Sequence, residues 1–452
     1  MHTTKLPATV NVIGGGLAGS EVAYQLGSRG ISVRLFEMRP KVMTPAHQTG
    51  GLAELVCSNT FKSEAPANPS RLLKDEMRQL GSIVLQAAPF AQVPAGDALA
   101  VDRIAFSKKV EELILATNNV ERISCQVDSL NELPNADFTV IATGPLTQGA
   151  LAHEIQALSQ SDDLYFYDAI APVVSADSID RTIAFSASRY GKCGEDYLNC
   201  PFTREEYDRF YDALIAGEKT AFHDFESAKY FQGCQPIEAI AETGRNSPRF
   251  GPMKPVGLED PRTGKRPYAC VQLRIDNLSR SAYNLVGFQT KLKFGAQKEV
   301  FRLIPGLQNA EFLRLGTMHR NTYICSPKLL NDDLAVKTQP NLYFAGQIVG
   351  VEGYVESAAS GIMVAYSILA KLLPTKHQWT LPPKETAMGA LCRYLLSSDI
   401  SQFQPVNIHF GLFDTNDFTV DPKVRKTMGK AGFRTAVLQE AYQKFLAWKA
   451  RL

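Results

Sequence analysis

The chain has 452 residues, 45% of them hydrophobic and 21% charged, and a net charge of +2. This composition excludes a disordered tail and leaves length for two or three domains with a large core. Only MHTTKLPAT precedes the first apolar stretch, and the longest mostly apolar stretch, ASGIMVAYSILAKLL from Ala359, is short for a membrane span and broken by glycine, serine and lysine. No secretory signal and no membrane segment are expected, so the location expected is cytoplasmic.

Residues 9–13, TVNVI, read as a buried strand, GGGLAGSEVAYQLGSRG as a glycine turn opening a helix, and SVRLFE as a second strand. Together they form a βαβ unit. Helices are expected over Arg71–Leu80 and Phe106–Asn118, and DFTVIATG from Asp137 is a strand ending at a glycine turn. A less regular region follows, helix-like at Arg204–Ile215 and strand-like at Tyr268–Arg274 and Tyr283–Phe288. Near the other end NLYFAGQ from Asn341 is again strand then glycine, and YVESAASGIMVAYSILAKLL from Tyr354 is a long helix opening with small residues.

Gly14, Gly16 and Gly19 form GxGxxG with a strand before and a helix after, and Glu37 ends the second strand 23 residues past Gly14. Glycines permit a tight turn and close approach of the backbone, with Gly15, Leu17 and Ala18 completing the turn. The helix N-terminus faces pyrophosphate, and the acid accepts hydrogen bonds from a ribose. NAD and FAD share this fingerprint. The late strand-then-glycine, Gly346 and Gln347, followed by a helix with Ser360 and Gly361, favours FAD, because in two-segment flavoproteins such a helix turns its positive end to the flavin. The expected fold is therefore α/β, a Rossmann-like two-segment FAD-binding domain of the glutathione-reductase type, residues 1–168 and 305–452, with an inserted α+β domain at 169–304.

Eight cysteines at 57, 125, 193, 200, 234, 270, 325 and 392 include no CxxC pair, so neither a zinc site nor a redox pair nor any other metal centre is expected. Cys57, in GGLAELVCSNTFKS, leaves the first βαβ unit toward the cofactor's reactive end; it reads equally as a small core filler. Cys234, in FQGCQPIE, sits between Gly233 and Pro236, ten residues before a basic loop whose charge favours thiolate. That loop, GRNSPRFGPMKPVGLEDPRTGKRP from Gly244, has six basic residues against two acids, and residues 421–452 carry +6. Both suit a polyanion, and both also read as solvated surface.

GGGLAGSE, FEMRP, LAELVCSNTFKS, YLNCPFTREEYDRFYDAL, FQGCQPIE, NLYFAGQIVGVEGYVESAASG and QPVNIHFGL resemble, in order and along almost the whole chain, the folate- and FAD-dependent tRNA (uracil-5-)-methyltransferases. Family members usually have methionine where Gln235 stands and asparagine where His409 stands. The resemblance implies an enzyme that makes 5-methyluridine in the tRNA T-arm from 5,10-methylenetetrahydrofolate, with reduced FAD as hydride donor and NAD(P)H recharging the flavin. It implies Cys234 as the nucleophile adding to uracil C6 and Cys57 as the base taking the C5 proton. His47 and Tyr354 are candidates for stacking on folate or base, and Arg245 and Arg249 for phosphate contacts. The alternatives are the same chemistry on ribosomal RNA, a FAD-dependent dehydrogenase of a small molecule, and an RNA-binding protein that keeps FAD for stability. The related flavoproteins that modify the wobble uridine are longer, with a helical C-terminal domain.

Overall fold

The computed structural model describes residues 8–159, 164–191, 195–220, 235–374, 379–421 and 423–452. Its first sheet opens with β1 (Thr9–Ile13), α1 (Leu17–Gly27) and β2 (Ser32–Glu37), and adds β3 (Val120–Ser124), β4 (Phe138–Ile141) and β5 (Gln339–Phe344). The order is Ala335–Val336, β5, β4, β1, β2, β3; all pairs are parallel except the first, a hairpin edge. Val10, Val12, Val33 and Leu35 are fully buried, as parallel strands covered on both faces require. Ile13 pairs with Phe36 on one side and Ile141 on the other, and Phe344 pairs with Ile141, so four strand ends finish level. The crevice beyond such carboxyl ends is where open α/β sheets bind ligands.

One face of this sheet carries α1 and, from the far end of the chain, α2 (Tyr354–Leu372). α2 has a mean hydropathy of 1.3 over an 18-residue window, which by length and composition alone would let it cross a membrane. That corrects the expectation that this stretch is too short. The window is 83% buried within the protein, so α2 is the core helix. A Cβ on Gly361 of α2 would overlap the carbonyl oxygen of Ala18, so the two helices touch through glycine.

The second sheet is antiparallel, in the order Phe185–Ser186, Tyr197–Phe202, Ala269–Ile275, Ala282–Leu285, Val173–Ser175, Phe312–Arg314. Its last strand crosses the return at residue 305 expected from sequence. The helix Arg204–Ala216, opened by a Thr203/Glu206 capping box, buries Tyr207, Phe210 and Leu214 in a core with Phe202, Phe288 and Phe301. A ribbon of Leu164–Ala169 and Met318–Tyr323, and a small sheet of Thr60–Ser63, Gln92–Val93 and Ala98–Val101, complete the strands. In the small sheet Phe61 and Val101 pack into the core of the first sheet, Val93 and Ala100 into that of the second. The helix expected at Phe106 begins at Arg103 instead, because the Asp102 carboxylate accepts the N–H groups of Ile104 and Ala105.

Glu76, in the helix Pro69–Gln79, caps α3 (Ala387–Ser397): its two oxygens accept the N–H groups of Ala387 and Met388 at 2.8 Å each, and the Thr386 hydroxyl takes that of Gly389. Burial pushes the Glu76 carboxyl up to about 8, against the pull of those two N–H donors. Burial likewise pushes Glu21, which caps the helix at Ile83, up to about 7. A carboxyl whose folded value lies above its unfolded one stabilises the fold fully at low pH and loses that contribution as pH rises through the folded value. Thermal stability is therefore expected to fall between pH 5 and 9. Glu76→Gln, which mimics the protonated side chain, should flatten that fall by a few kcal/mol, of order 1.4 per pKa unit. Melting curves of both proteins across that range check it; parallel pH profiles would refute it.

Candidate functional site

A cleft of about 430 Å³ opens at the level strand ends, lined by Gly14, Gly16, Leu17, Ala18 and Glu37 from the first βαβ unit and by Gly346, Gln347, Tyr354 and Ser357 from the late segment. Gly14 has φ +97°, and a Cβ there would stand 2.5 Å from the Ala142 carbonyl oxygen. A Cβ on Gly19 would overlap the oxygen of Gly14, whereas one on Gly16 would meet nothing within 4 Å. The glycines thus fold the turn onto itself and leave one open flank. α1 begins at Gly16 without a side-chain cap, so its first N–H groups stay available to an anion.

Gly15, Gly19, Ser360 and Gly361 do not line the cleft; they shape it. Gly15 donates its N–H to Glu37 at 2.8 Å. The Ser360 hydroxyl accepts the N–H of Gly346 and donates to the Ser357 carbonyl, both at 2.7 Å.

The Glu37 carboxylate holds more than sequence suggested. Arg39, 2% exposed, donates to it from its backbone N–H and Nε at 2.9 Å and from Nη2 at 3.0 Å, and spans to Glu54 at 3.0 Å. With Gly15, four donors fill the four acceptor positions of the carboxylate. Burial alone would raise Glu37, but the hydrogen bonds and charge of Arg39 outweigh it and hold the carboxyl below its ordinary value. The arginine of FEMRP, quoted above but given no role, is therefore the partner of the fingerprint acid.

Cys57 is half-buried, and its peptide is pinned at both ends. Its N–H donates to Tyr354 Oη at 2.7 Å, as does that of Ser58 at 3.2 Å. Its carbonyl accepts Arg314 Nη2 at 3.0 Å and Arg103 Nη2 at 3.3 Å, and the carbonyl of Val56, a cleft residue, accepts Arg314 Nη1 at 3.2 Å. Arg103 is ion-paired with Asp276, just past the end of the interior strand Ala269–Ile275 of the second sheet, and Arg274 reaches Asn59 at 3.1 Å. Among the described residues the thiol's hydrogen bond is to the Ala169 carbonyl, at 3.8 Å. Tyr354 thus acts here through its hydroxyl, and burial raises that phenol so that it stays protonated. Arg103, Arg274 and Arg314 had no signal in the sequence: their meeting depends on three distant segments.

Beyond Tyr354, Glu356 is fully buried and paired with Lys62 at 2.7 Å, and also accepts the N–H of Ile408 at 2.9 Å. Lys62 holds φ +63°, a left-handed value that a lysine adopts only under constraint. Glu352, bonded to Gln347, is raised well above the ordinary carboxyl range by burial and by Asp168, with Cys57 and Glu356 adding to it.

His47 lines the cleft with Nδ1 2.6 Å from the Thr44 hydroxyl, and burial together with the Arg39 charge pushes it down to about 4, so the ring is neutral. Arg245 is paired with Asp208 at 2.9 Å and with Asp212, and Arg249 lies 3.5 Å over the Tyr268 ring and donates to the Tyr268 carbonyl. Both cations are committed to the protein. Cys234 lies outside the described residues, as does Gly233. Among the described residues no group of three or more His, Cys, Asp and Glu is placed to hold a metal ion.

The family model described as glucose inhibited division protein A matches residues 9–376. The methylenetetrahydrofolate--tRNA-(uracil-5-)-methyltransferase TrmFO of Natranaerobius thermophilus is 52% identical over 417 residues, 92% of this chain and 95% of that protein. Its counterpart in Lactiplantibacillus plantarum is 50% identical over 442 residues, 98% and 97% of the two chains. Among solved structures, GidA of Aquifex aeolicus in its form I crystal aligns with a TM-score of 0.65 at 15% identity, covering 98% of this chain and 78% of that one. That likeness shows the fold, and the two-segment Rossmann-like α/β expectation is borne out.

Proposed function

The chain belongs to the methylenetetrahydrofolate-dependent tRNA (uracil-5-)-methyltransferases, and from that membership we propose that it converts a T-loop uridine of tRNA to 5-methyluridine, with 5,10-methylenetetrahydrofolate as carbon donor and NAD(P)H as reductant of bound FAD. The glycine turn fits the cofactor: Gly14, Gly16, Leu17 and Ala18 would face its pyrophosphate, Glu37, its acceptors already taken by Arg39 and Gly15, would fix the turn beside its ribose, and Gly346 and Gln347 would face the flavin end. Gly15, Gly19, Ser360 and Gly361 hold that cradle in shape. Reduced FAD supplies the hydride that completes the methyl group. We assign residues 1–168 and 305–452 to the cofactor domain and 169–304 to an insertion that takes the RNA, with the strand Phe312–Arg314 shared across their junction. The cytoplasm is the compartment this chemistry needs.

The remaining steps fall to side chains. Uracil C5 is a poor nucleophile; addition of the Cys234 thiolate to C6 makes C5 an enolate carbon able to attack the one-carbon unit of the folate. Cys57 takes the C5 proton as tetrahydrofolate departs from the one-carbon unit, leaving an exocyclic methylene; once that is reduced to methyl, loss of Cys234 from C6 restores the ring. Tyr354, Arg103 and Arg314 hold the Cys57 peptide while this happens, and His47 and Tyr354 offer flat neutral rings to folate or base. Arg245 and Arg249 brace the loop beside the RNA. The observation that carries the reading is Cys57, clamped at both ends next to Val56 and Tyr354, which line the same cleft as the glycine cradle.

The test supplies native protein and Cys234→Ala with labelled methylenetetrahydrofolate, NADPH and an unmodified tRNA T-arm. Label should enter 5-methyluridine with the native protein and stay at background with the variant. A flavin-loaded native protein that leaves the T-arm unlabelled sinks the tRNA assignment and turns the search to ribosomal RNA; undiminished label with Cys234→Ala sinks the nucleophile.

A further inference from the structure

Residues 422–439 contain five cations, Lys423, Arg425, Lys426, Lys430 and Arg434, and no acid. They open the C-terminal helix α4 (Val424–Lys449), which is kinked at Gly429, φ +68°. Its later part is anchored: Val437, Leu438, Ala441, Phe445 and Trp448 are buried in the first core, and Lys444 pairs with Glu385 and Glu440. Its first part is the opposite. Lys423, Lys426 and Lys430 are exposed and make no ion pair among the described residues.

A line of neighbouring groups runs from this end of α4 toward Cys57. Arg434 lies 4.8 Å over the ring of Phe410. The neighbouring His409 is exposed and within electrostatic reach of Lys62. Lys62 is about one-third exposed, and its ammonium is fixed by Glu356, two residues from the tyrosine that holds Cys57. The other basic segment lacks this continuity. Arg245 is neutralised by Asp208 and Asp212, Arg262 by Asp260, and Arg249 is stacked on Tyr268; only Lys254, Lys265 and Arg266 stay exposed there without an ion pair among the described residues.

We infer that the first part of α4 is the docking surface for the phosphate backbone of the tRNA, and that Arg434, His409 and Lys62 continue it to Cys57. This rests on the functional reading above and divides the RNA between the two parts: the insertion takes the target nucleotide, and α4 of the cofactor domain the phosphate backbone. A row of unpaired ammonium groups matches a row of phosphates, and each phosphate neutralised releases counterions, so affinity falls steeply with salt. The acid-free run serves this purpose, since any carboxylate within it would repel the strand. Lys62, its ammonium held by the buried Glu356 carboxylate, is the end of the track nearest Cys57, and the exposed lysines of α4 are its outer end.

The experiment measures binding of unmodified tRNA against salt concentration for the native full chain, for Lys423→Ala/Lys426→Ala/Lys430→Ala, and for Lys254→Ala/Lys265→Ala/Arg266→Ala. All three are first shown to be flavin-loaded and equal in melting temperature. Log affinity of the native protein should fall linearly with log salt. The helix variant should lose about 2–3 from that slope, at roughly 0.7–0.9 per phosphate contact, and bind about tenfold more weakly at low salt, while the loop variant keeps the native slope. A native slope in the helix variant, or loss of slope in the loop variant alone, overturns the docking surface and leaves the methyltransferase reading standing. Absence of salt-dependent tRNA binding by the native protein overturns both.

Discussion

Replacing Cys57 with alanine will leave a folded, flavin-loaded protein and lower transfer of the one-carbon unit to uridine by about 10²–10⁴-fold, the usual contribution of a positioned acid or base. The geometry separates the two effects. The peptide of Cys57 is held through its N–H by Tyr354 and through its carbonyl by Arg314 and Arg103, and none of these contacts involves the side chain. Among the described residues the thiol's hydrogen bond is a long one, 3.8 Å to the carbonyl of Ala169, so its removal costs little hydrogen bonding. The measurement is single-turnover label transfer beside a melting curve. A rate within a few-fold of native would remove Cys57 from the chemistry; a collapsed melting curve would make it a core residue. Arg314→Met gives the complementary result: the thiol is kept but the clamp loosened, and the rate should fall by about tenfold or more, since small misplacements of a catalytic group are costly.

The second large effect is at Gly361. Gly361→Val should destabilise the protein by roughly 3 kcal/mol or more and weaken FAD binding at least about tenfold. A Cβ at this position already overlaps the carbonyl oxygen of Ala18, which is main chain at the start of α1 and has no rotamer to yield. Either α2 moves off α1 or the first turn of α1 shifts. Both disturb the cleft, because Leu17 and Ala18 of α1 and Tyr354 and Ser357 of α2 all line it. Thermal unfolding and flavin retention after gel filtration report the two consequences. A variant with native melting temperature and full flavin would show that the contact between the helices carries no strain.

Local periodicity made the first sheet legible. The glycine spacing put Gly14 and Glu37 in one unit, and the second strand-then-glycine correctly identified β5 as returning to the same sheet, where the structure pairs it with β4. Expected helices at Arg71 and Arg204 lie within two residues of those found, because caps at Asn68 and Thr203 fix their starts. What the sequence withheld is what depends on distance along the chain. The short strands at Thr60, Gln92 and Ala98 gain order only by pairing with one another between two cores. Arg39 was visible in FEMRP but reads as surface until Glu37 and Glu54 are seen to enclose it. Arg314 reaches Cys57 across 257 residues, a relation no local pattern encodes. The C-terminal charge was legible as a patch, while the spacing of Val437, Leu438, Ala441, Phe445 and Trp448 marks the helix that carries it.

The clamp on Cys57 also sets an order of events during synthesis. The cysteine leaves the ribosome early, but Arg314 and Tyr354 follow it by 257 and 297 residues. At about 5–20 residues per second, the thiol waits roughly 15–60 s for its last anchor. Until then β5 has not joined its sheet and α2 does not exist, so the nascent chain holds half a cofactor cradle and an unclamped cysteine. A product that stops short of Tyr354 therefore lacks both the clamp on Cys57 and the late half of the cradle.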